Sequence, residues 1–210
     1  MQRRLHIGCD VDGVLADFLT PTLKLINHRL RRQVANHYKP EHVTGWNICE
    51  SLGHPKLHSH LFKHWTSPGF CAKLKPYPDA QDTVKTLQTL GELYAITAPM
   101  TSVHWAGERL LWLNKHLGLS KSHVIQCEAK HLVAVDVFID DKWENVKAWA
   151  EWNPRGKAIL WHPLREVVIS VDEPRNIHLA RDWKTVFQII KDLINLREQN
   201  EKRLEYGVFS

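Results

Sequence analysis

Two carboxylates one residue apart, Asp10 and Asp12, stand where a short apolar run (Leu5, Ile7, Cys9) stops, and Gly13 follows them. A second acidic pair, Asp140 and Asp141, closes the apolar run from Val135 to Ile139. Thr97 ends a third run, Leu93 to Ile96, and Lys130 precedes the second acidic pair. Carboxylates gathered in one place cost free energy unless a cation neutralises them. A hard divalent ion such as Mg²⁺ prefers oxygen ligands and keeps waters that a phosphate can replace. Nucleophile, acid/base group, metal and donors for phosphate oxygens are the parts of a phosphoryl-transfer site. Each residue also has a plainer reading. The D-x-D-G string occurs in ordinary turns, although Val11 and Leu15 spoil a calcium loop. Thr97 can bond its own backbone, Lys130 can be a solvated lysine, and the second acidic pair can cap a helix.

These residues need a scaffold that brings distant positions together, and the periodicity predicts one. Leu19, Leu23, Ile26 and Leu30 recur on one helical face, with Arg29, Arg31 and Arg32 near its end, where cations suit the helix dipole. Residues 36–75 lack strand alternation, carry Pro or Gly at 40, 45, 53, 55, 68 and 69, and predict a small helical insert. KPYPD, 75–79, marks the return. From there, helix alternates with strand. Ala80, Val84, Leu87 and Leu90 predict a helix, with Gly91 as its C-terminal glycine. Val103, Ala106, Leu110, Leu113 and Leu117 predict a second, closed by Gly118. Val124–Ile125, Val135–Ile139, Lys157–Trp161 and Ile177–Leu179 predict strands. A short helix passes through Val146 and Trp149, a closing one runs from Val186 to Leu196, and the charged tail from Arg197 is expected to fray. Such alternation implies a parallel sheet with helices on both faces, and ligands of such sheets sit beyond the carboxyl ends of the strands.

Composition bounds the rest. In 210 residues, 43% hydrophobic, there is enough apolar material for a full core, and no apolar run approaches transmembrane length. Cys9, Cys49, Cys71 and Cys127 lack close spacing, which favours reduced thiols and a cytoplasmic setting. From Phe18 to Lys75, nine Lys and Arg face two acids, a net charge of +7 against +5 for the whole chain. A basic insert beside an acidic, metal-ready site suits an anionic substrate. His54, His58, His60 and His64, with Cys49 and Cys71, match no zinc-finger spacing.

With this set assembled, the chain resembles the haloacid dehalogenase-like (HAD) phosphatases: DVDGV (10–14), ITAP (96–99), Lys130 and FIDD (138–141) follow the order of that superfamily's four motifs. DVDGVLADF (10–18) and IDDK (139–142) resemble its 5′(3′)-deoxyribonucleotidase branch. The resemblance implies an α/β, HAD-like Rossmannoid fold, with a catalytic core of 1–17 and 76–210 and a helical cap of 18–75. It implies Asp10 as the nucleophile that forms an aspartyl-phosphate and Asp12 as acid and base. Mg²⁺ would lie on the Asp10 carboxylate, the Asp12 carbonyl and Asp141, with Asp140 acting through water. Thr97, Lys130, the backbone of Ala98 and Arg109 would hold phosphate. Position 98 departs from the branch, which usually carries a hydroxyl residue there. Phe18, Trp46, Trp65 and Phe70 would enclose the base, each with hydrophobic packing of the cap as its other reading. The implied partner is a small nucleotide, with nucleic-acid ends as a lesser alternative, no membrane, and homodimer formation left open. Sugar phosphates and a catalytically silent nucleotide-binding module are the remaining rivals.

Overall fold

The computed structural model describes residues 3–31, 37–162 and 169–205; Arg32 and Asn36, which fall within the expectations above, lie outside them. Six strands, β1 (His6–Cys9), β4 (Glu92–Thr97), β5 (Val124–Gln126), β6 (Val137–Asp140), β7 (Lys157–Trp161) and β8 (Ile177–Ala180), form one sheet in the order β5-β4-β1-β6-β7-β8. Every neighbouring pair is parallel. Two short strands, β2 (Ala16–Asp17) and β3 (Lys75–Pro76), pair antiparallel, so the chain leaves and re-enters the core through a two-stranded neck.

The strands are buried on both faces, which is why they read as continuous apolar runs. Ile7, Cys9, Ala95, Val137 and Ile139 pack to one side. That side is covered by α5 (Ala80–Leu90), α6 (Trp105–Leu117) and α8 (Trp183–Glu205), through Val84, Leu87, Trp112, Leu113, Val186 and Ile190. Ile96, Phe138, Ala158 and Leu160 pack to the other, against Val146 and Trp149 of α7 (Trp143–Trp152). The α/β class with helices on both faces is as expected. Between the neck strands lie α1 (Leu19–Leu30), α2 (Ile48–Ser51), α3 (His58–Trp65) and α4 (Phe70–Lys73). They share a separate buried cluster, in which Leu23 and Ile26 of α1 meet Cys49, Leu61 and Trp65.

Four local expectations are corrected. The inward face of α6 carries Trp105, Arg109, Trp112, Leu113 and Leu117, while Val103 precedes the helix and is 93% exposed. The face is rotated because an arginine sits on it. Gly91 does end α5, its N–H donating to the Leu87 carbonyl at 3.0 Å, but not through a left-handed turn: its φ is −168°, and a Cβ there would lie 2.6 Å from the Leu5 carbonyl oxygen. Close backbone approach is what requires glycine. Strand β6 runs Val137–Asp140, two residues later than expected at its start, although the Asp136 backbone already bonds His6 and Lys157 at 2.8 and 2.9 Å. Finally, α8 continues through Arg197 to Glu205, with Arg197 bonded to Asp136 at 2.7 Å.

Candidate active site

The sheet order sets β1 between β4 and β6, so the residues at their carboxyl ends become neighbours. The chain turns away on one side of β1 through β4 and β5 and on the other through β6 to β8, which opens a crevice at this switch point. Asp10 follows β1 and stays in register, its N–H donating to the Ile139 carbonyl at 2.8 Å. The chain then folds back tightly: the amides of Leu15 and Ala16 both donate to the Val11 carbonyl, at 2.8 and 2.7 Å. Gly13 has φ +83°, and a Cβ on it would strike the Asp141 carboxylate. Only glycine satisfies both conditions.

Lys130 is 3% exposed and stands in a single 3-10 turn, Lys130–Leu132. Its Nζ lies 2.8 Å from Asp10 Oδ1 and 2.7 Å from Asp140 Oδ2. Burial alone would lower the lysine's pKa, but the two carboxylates outweigh it and hold the ammonium charged well above its usual range. Asp140 is wholly buried and its oxygens are occupied. Besides Lys130, the Lys142 amide donates to Oδ1 at 2.9 Å and Asn145 Nδ2 lies 3.2 and 3.1 Å from the two oxygens. Burial, with the Asp10 charge beside it, pushes Asp140 up to about 6. Asp141 is raised well above the carboxylate range by burial, then by Asp10 and Asp140.

Oxygens of Asp10, Asp140 and Asp141 lie within 4.8 Å of one another. An all-carboxylate set with excess negative charge fits a hard divalent cation. Asp10 and Asp141 would hold it directly, and Asp140, saturated by its own partners, through water. Among the described residues this is the one such cluster. The histidines of the insert form none: His54 bonds the Tyr38 hydroxyl at 2.8 Å, and His60 and His64 pack on each other at 5.3 Å.

Asp12 stands apart from that cluster. Both its oxygens lie 2.6 Å from Arg109 Nη2. Burial raises the Asp12 pKa, and the guanidinium opposes the shift. Arg109, expected on phosphate, is fully buried on α6 and does not line the pocket. The inward arginine thus reaches the crevice only through Asp12, whose partly exposed carboxylate takes its charge.

Above the carboxylates opens a cavity of about 430 Å³, a volume suited to a small organic ligand. Asp10, Asp12, Thr97, Ala98, Lys130 and Asp141 line its floor. Phe18, Trp46 and Trp65 line its upper wall. Trp65 is 6% exposed and its Nε1 donates to Thr22 Oγ1 at 3.1 Å, so it also holds the insert together. Trp46 is 56% exposed. Phe70 does not reach the cavity; it backs Phe18, with ring centres 5.8 Å apart, and stacks on Trp105. Its place behind Phe18 makes it a support for the wall. Sequence reasoning missed Tyr77, Lys142, Asn145 and Trp105, all lining residues. Asn145 carried a usable signal, one turn into the helix that follows the acidic pair. Tyr77 lay in a turn read only as a boundary.

Comparisons with known proteins identify the family. Residues 3–199 match the family described as 5′ nucleotidase, deoxy (pyrimidine), cytosolic type C protein. The human cytosolic-type 5′(3′)-deoxyribonucleotidase is 28% identical over 194 residues, 89% of this chain and 94% of its own. The mouse mitochondrial 5′(3′)-deoxyribonucleotidase is 28% identical over 192 residues, 88% of this chain and 86% of its own. Among solved structures, the HAD-hydrolase YfnB from Bacillus subtilis, bound to magnesium, aligns with a TM-score of 0.56 at 13% identity, over 90% of this chain and 99% of that one. L-2-haloacid dehalogenase from Xanthobacter autotrophicus aligns at 0.51 and 13%, over 90% and 98%. The chain belongs to the cytosolic type C 5′ nucleotidase family, and it is a phosphoric monoester hydrolase whose fold is that of the HAD-like hydrolases.

Proposed function

We propose that this enzyme is a Mg²⁺-dependent nucleotidase that removes phosphate from deoxyribonucleoside or ribonucleoside monophosphates through an aspartyl-phosphate on Asp10. The observation that carries the reading is the pairing of floor and wall: an acidic, lysine-anchored floor beneath a cavity walled by Phe18, Trp46 and Trp65. Floor residues can reach only what all phosphomonoesters share, and the aromatic wall is what a nucleobase requires. The family relatives named above are deoxyribonucleotidases, which points the same way.

In this reading residues 18–75 are the cap and the remainder is the core. An Asp10 oxygen attacks phosphorus as the bond to the ester oxygen breaks, and Asp12 gives its proton to the leaving oxygen. Asp12 then takes a proton from the water that attacks the phospho-aspartate, releasing inorganic phosphate and restoring Asp10. Lys130 orients the Asp10 carboxylate and offers donors to phosphate oxygens, with Thr97 and the Ala98 backbone opposite. A bound Mg²⁺ supplies charge neutralisation for the phosphate dianion and the transition state. No helix among the described residues is long and apolar enough to cross a membrane; with four free cysteines, we assign the protein to the cytoplasm.

The test is phosphate release, with Mg²⁺ present, from a panel of nucleotides, sugar phosphates and phosphorylated oligonucleotides. Preference for nucleoside monophosphates supports the reading; preference for oligonucleotide ends or sugar phosphates overturns it. Asp10→Asn should abolish turnover, because an amide cannot form the acyl phosphate.

A further inference from the structure

We infer that Arg109 is a positioning residue for Asp12: it holds the acid/base carboxylate apart from the cation-binding cluster and touches no phosphate oxygen. The inference rests on the nucleotidase reading for the role of Asp12, and on the geometry for everything else.

Four carboxylates crowd the carboxyl ends of β1 and β6. Three of them, Asp10, Asp140 and Asp141, converge within 4.8 Å. The fourth, two residues from Asp10, does not, and what it faces is the Arg109 guanidinium, at 2.6 Å from both oxygens. A divalent cation in the cluster attracts every carboxylate within reach. A side chain that must carry a proton to and from an ester oxygen cannot also be a ligand. An opposing positive charge on the far side is the direct physical means of keeping the two tasks separate.

The guanidinium is held in a fixed place. It is 0% exposed and lies against the faces of Trp105 and Trp112, 5.3 and 5.2 Å from their ring centres. Trp112 is locked by its own donation to the Leu74 carbonyl at 2.7 Å, and Trp105 by stacking on Phe70. The preceding residue, Glu108, accepts from the amides of Gly69 and Ala72 at 2.6 and 3.1 Å, which pins α6 to the returning chain. Arg109 Nε and Nη1 have no hydrogen-bond partner among the described residues. Burying an arginine with unpaired donors costs stability that an apolar residue would not cost. Among the described residues, the one hydrogen-bonded partner gained for that cost is Asp12.

The experiment exploits the leaving group. As the Asp10 oxygen bonds to phosphorus, a nucleoside alkoxide needs the Asp12 proton, whereas p-nitrophenolate departs as a stable anion. kcat/KM reports only the steps through this first transfer, so a fault in Asp12 positioning separates the two esters. Arg109→Met and Arg109→Lys are compared with wild type on a deoxyribonucleoside monophosphate and on p-nitrophenyl phosphate, with thermal unfolding run alongside. We expect Arg109→Met to lose about 100-fold in kcat/KM on the nucleotide, the scale of general acid catalysis, and at least about tenfold less on p-nitrophenyl phosphate. Arg109→Lys, which keeps the charge, should recover part of the nucleotide rate. Equal losses on both esters with raised KM would make Arg109 a phosphate contact and overturn the inference, as would unchanged rates on both. If Arg109→Met does not fold, Arg109→Lys decides by the same comparison, an equal effect on the two esters overturning it. Wild-type protein inactive on nucleotides but active on other monoesters would instead overturn the nucleotide assignment, a result seen before any variant is made.

Discussion

The Lys142 ammonium lies 4.0 Å from the centre of the Trp46 ring. Lys142 belongs to the core, directly after the acidic pair, and Trp46 to the insert, directly before α2, and both line the same cavity. One face of the exposed indole is thus steadied by a cation. Stacking a base on an aromatic ring is worth about 1–3 kcal/mol, so Trp46→Ala should lower kcat/KM for nucleotides by about tenfold or more. The loss on p-nitrophenyl phosphate should be much smaller. Lys142→Ala should reproduce part of the nucleotide defect, since an exposed cation–π contact contributes about 0.5–1 kcal/mol. Kinetics on both esters check this; equal losses would reduce Trp46 to a packing residue.

Metal dependence has an equilibrium signature as well as a kinetic one. Excess EDTA should abolish turnover. Mg²⁺ should raise the unfolding temperature, because it binds the folded cluster and not the unfolded chain, and Asp141→Asn should remove most of that gain. The gain should also shrink as pH falls from 7 to 5. Ligation requires ionised carboxylates, and burial holds Asp140 at about 6 and Asp141 well above the carboxylate range, so in this window protons compete with the metal. Thermal unfolding at several pH values, with and without Mg²⁺, checks the sign.

The sheet was legible because parallel strands buried on both faces are short apolar runs, and their ends locate Asp10, Thr97 and Asp140 without any knowledge of strand order. The face of α6 was not. Periodicity counts apolar residues, so it selected Val103 and Ala106 over a face that includes Arg109. Nothing near Arg109 in the sequence announces its partner, which lies 97 positions away. The tail from Arg197 misled for the same reason: among the described residues the charges beyond Arg197 are exposed as expected, but Arg197 itself is tied to Asp136. Lys142 and Asn145 were close enough to the acidic pair to be found by asking which groups satisfy a buried carboxylate. Tyr77 and Trp105 enter the site only through the way the insert folds back.

Lys130 neutralises Asp10 and Asp140 together. Removing one member of a buried charge set leaves the others uncompensated, typically at a cost of about 3–5 kcal/mol. Lys130→Met should therefore be inactive with Mg²⁺ present and, in EDTA, less stable than wild type. Mg²⁺ should restore part of the stability and none of the turnover, because the cation relieves the cluster's repulsion and cannot orient Asp10. Denaturant unfolding beside activity assays separates the two effects.

Asp136 offers a stability test that spares the chemistry. It sits at the amino end of β6, the opposite end of the sheet from Asp10. Its carboxylate accepts from Arg3, Arg197 and the His6 amide, each at 2.7 Å, tying the chain's beginning to β6 and α8. Burial alone would raise its pKa, but the Arg197 hydrogen bond, the His6 amide and the two arginine charges outweigh burial and hold it below the usual value. A carboxyl depressed in the folded state binds protons more readily when unfolded. Its contribution is therefore fully present above the unfolded value, near pH 4, and is lost as pH falls through the lower folded value. Charge-assisted hydrogen bonds contribute about 1.5–3 kcal/mol each at most, and Arg3, with its side chain 60% exposed, is screened by solvent. Asp136→Asn should thus cost about 1–3 kcal/mol at pH 7. Arg197→Ala should cost more than Arg3→Ala, since its side chain is only 32% exposed. The gap between wild type and Asp136→Asn should hold steady from pH 5 to 8 and narrow below about pH 4, while kcat/KM at pH 7 stays at the wild-type value. Urea unfolding across that range, with activity measured on the same preparations, checks each part; a gap that widened on acidification would mean that the carboxylate is not the stabilising form.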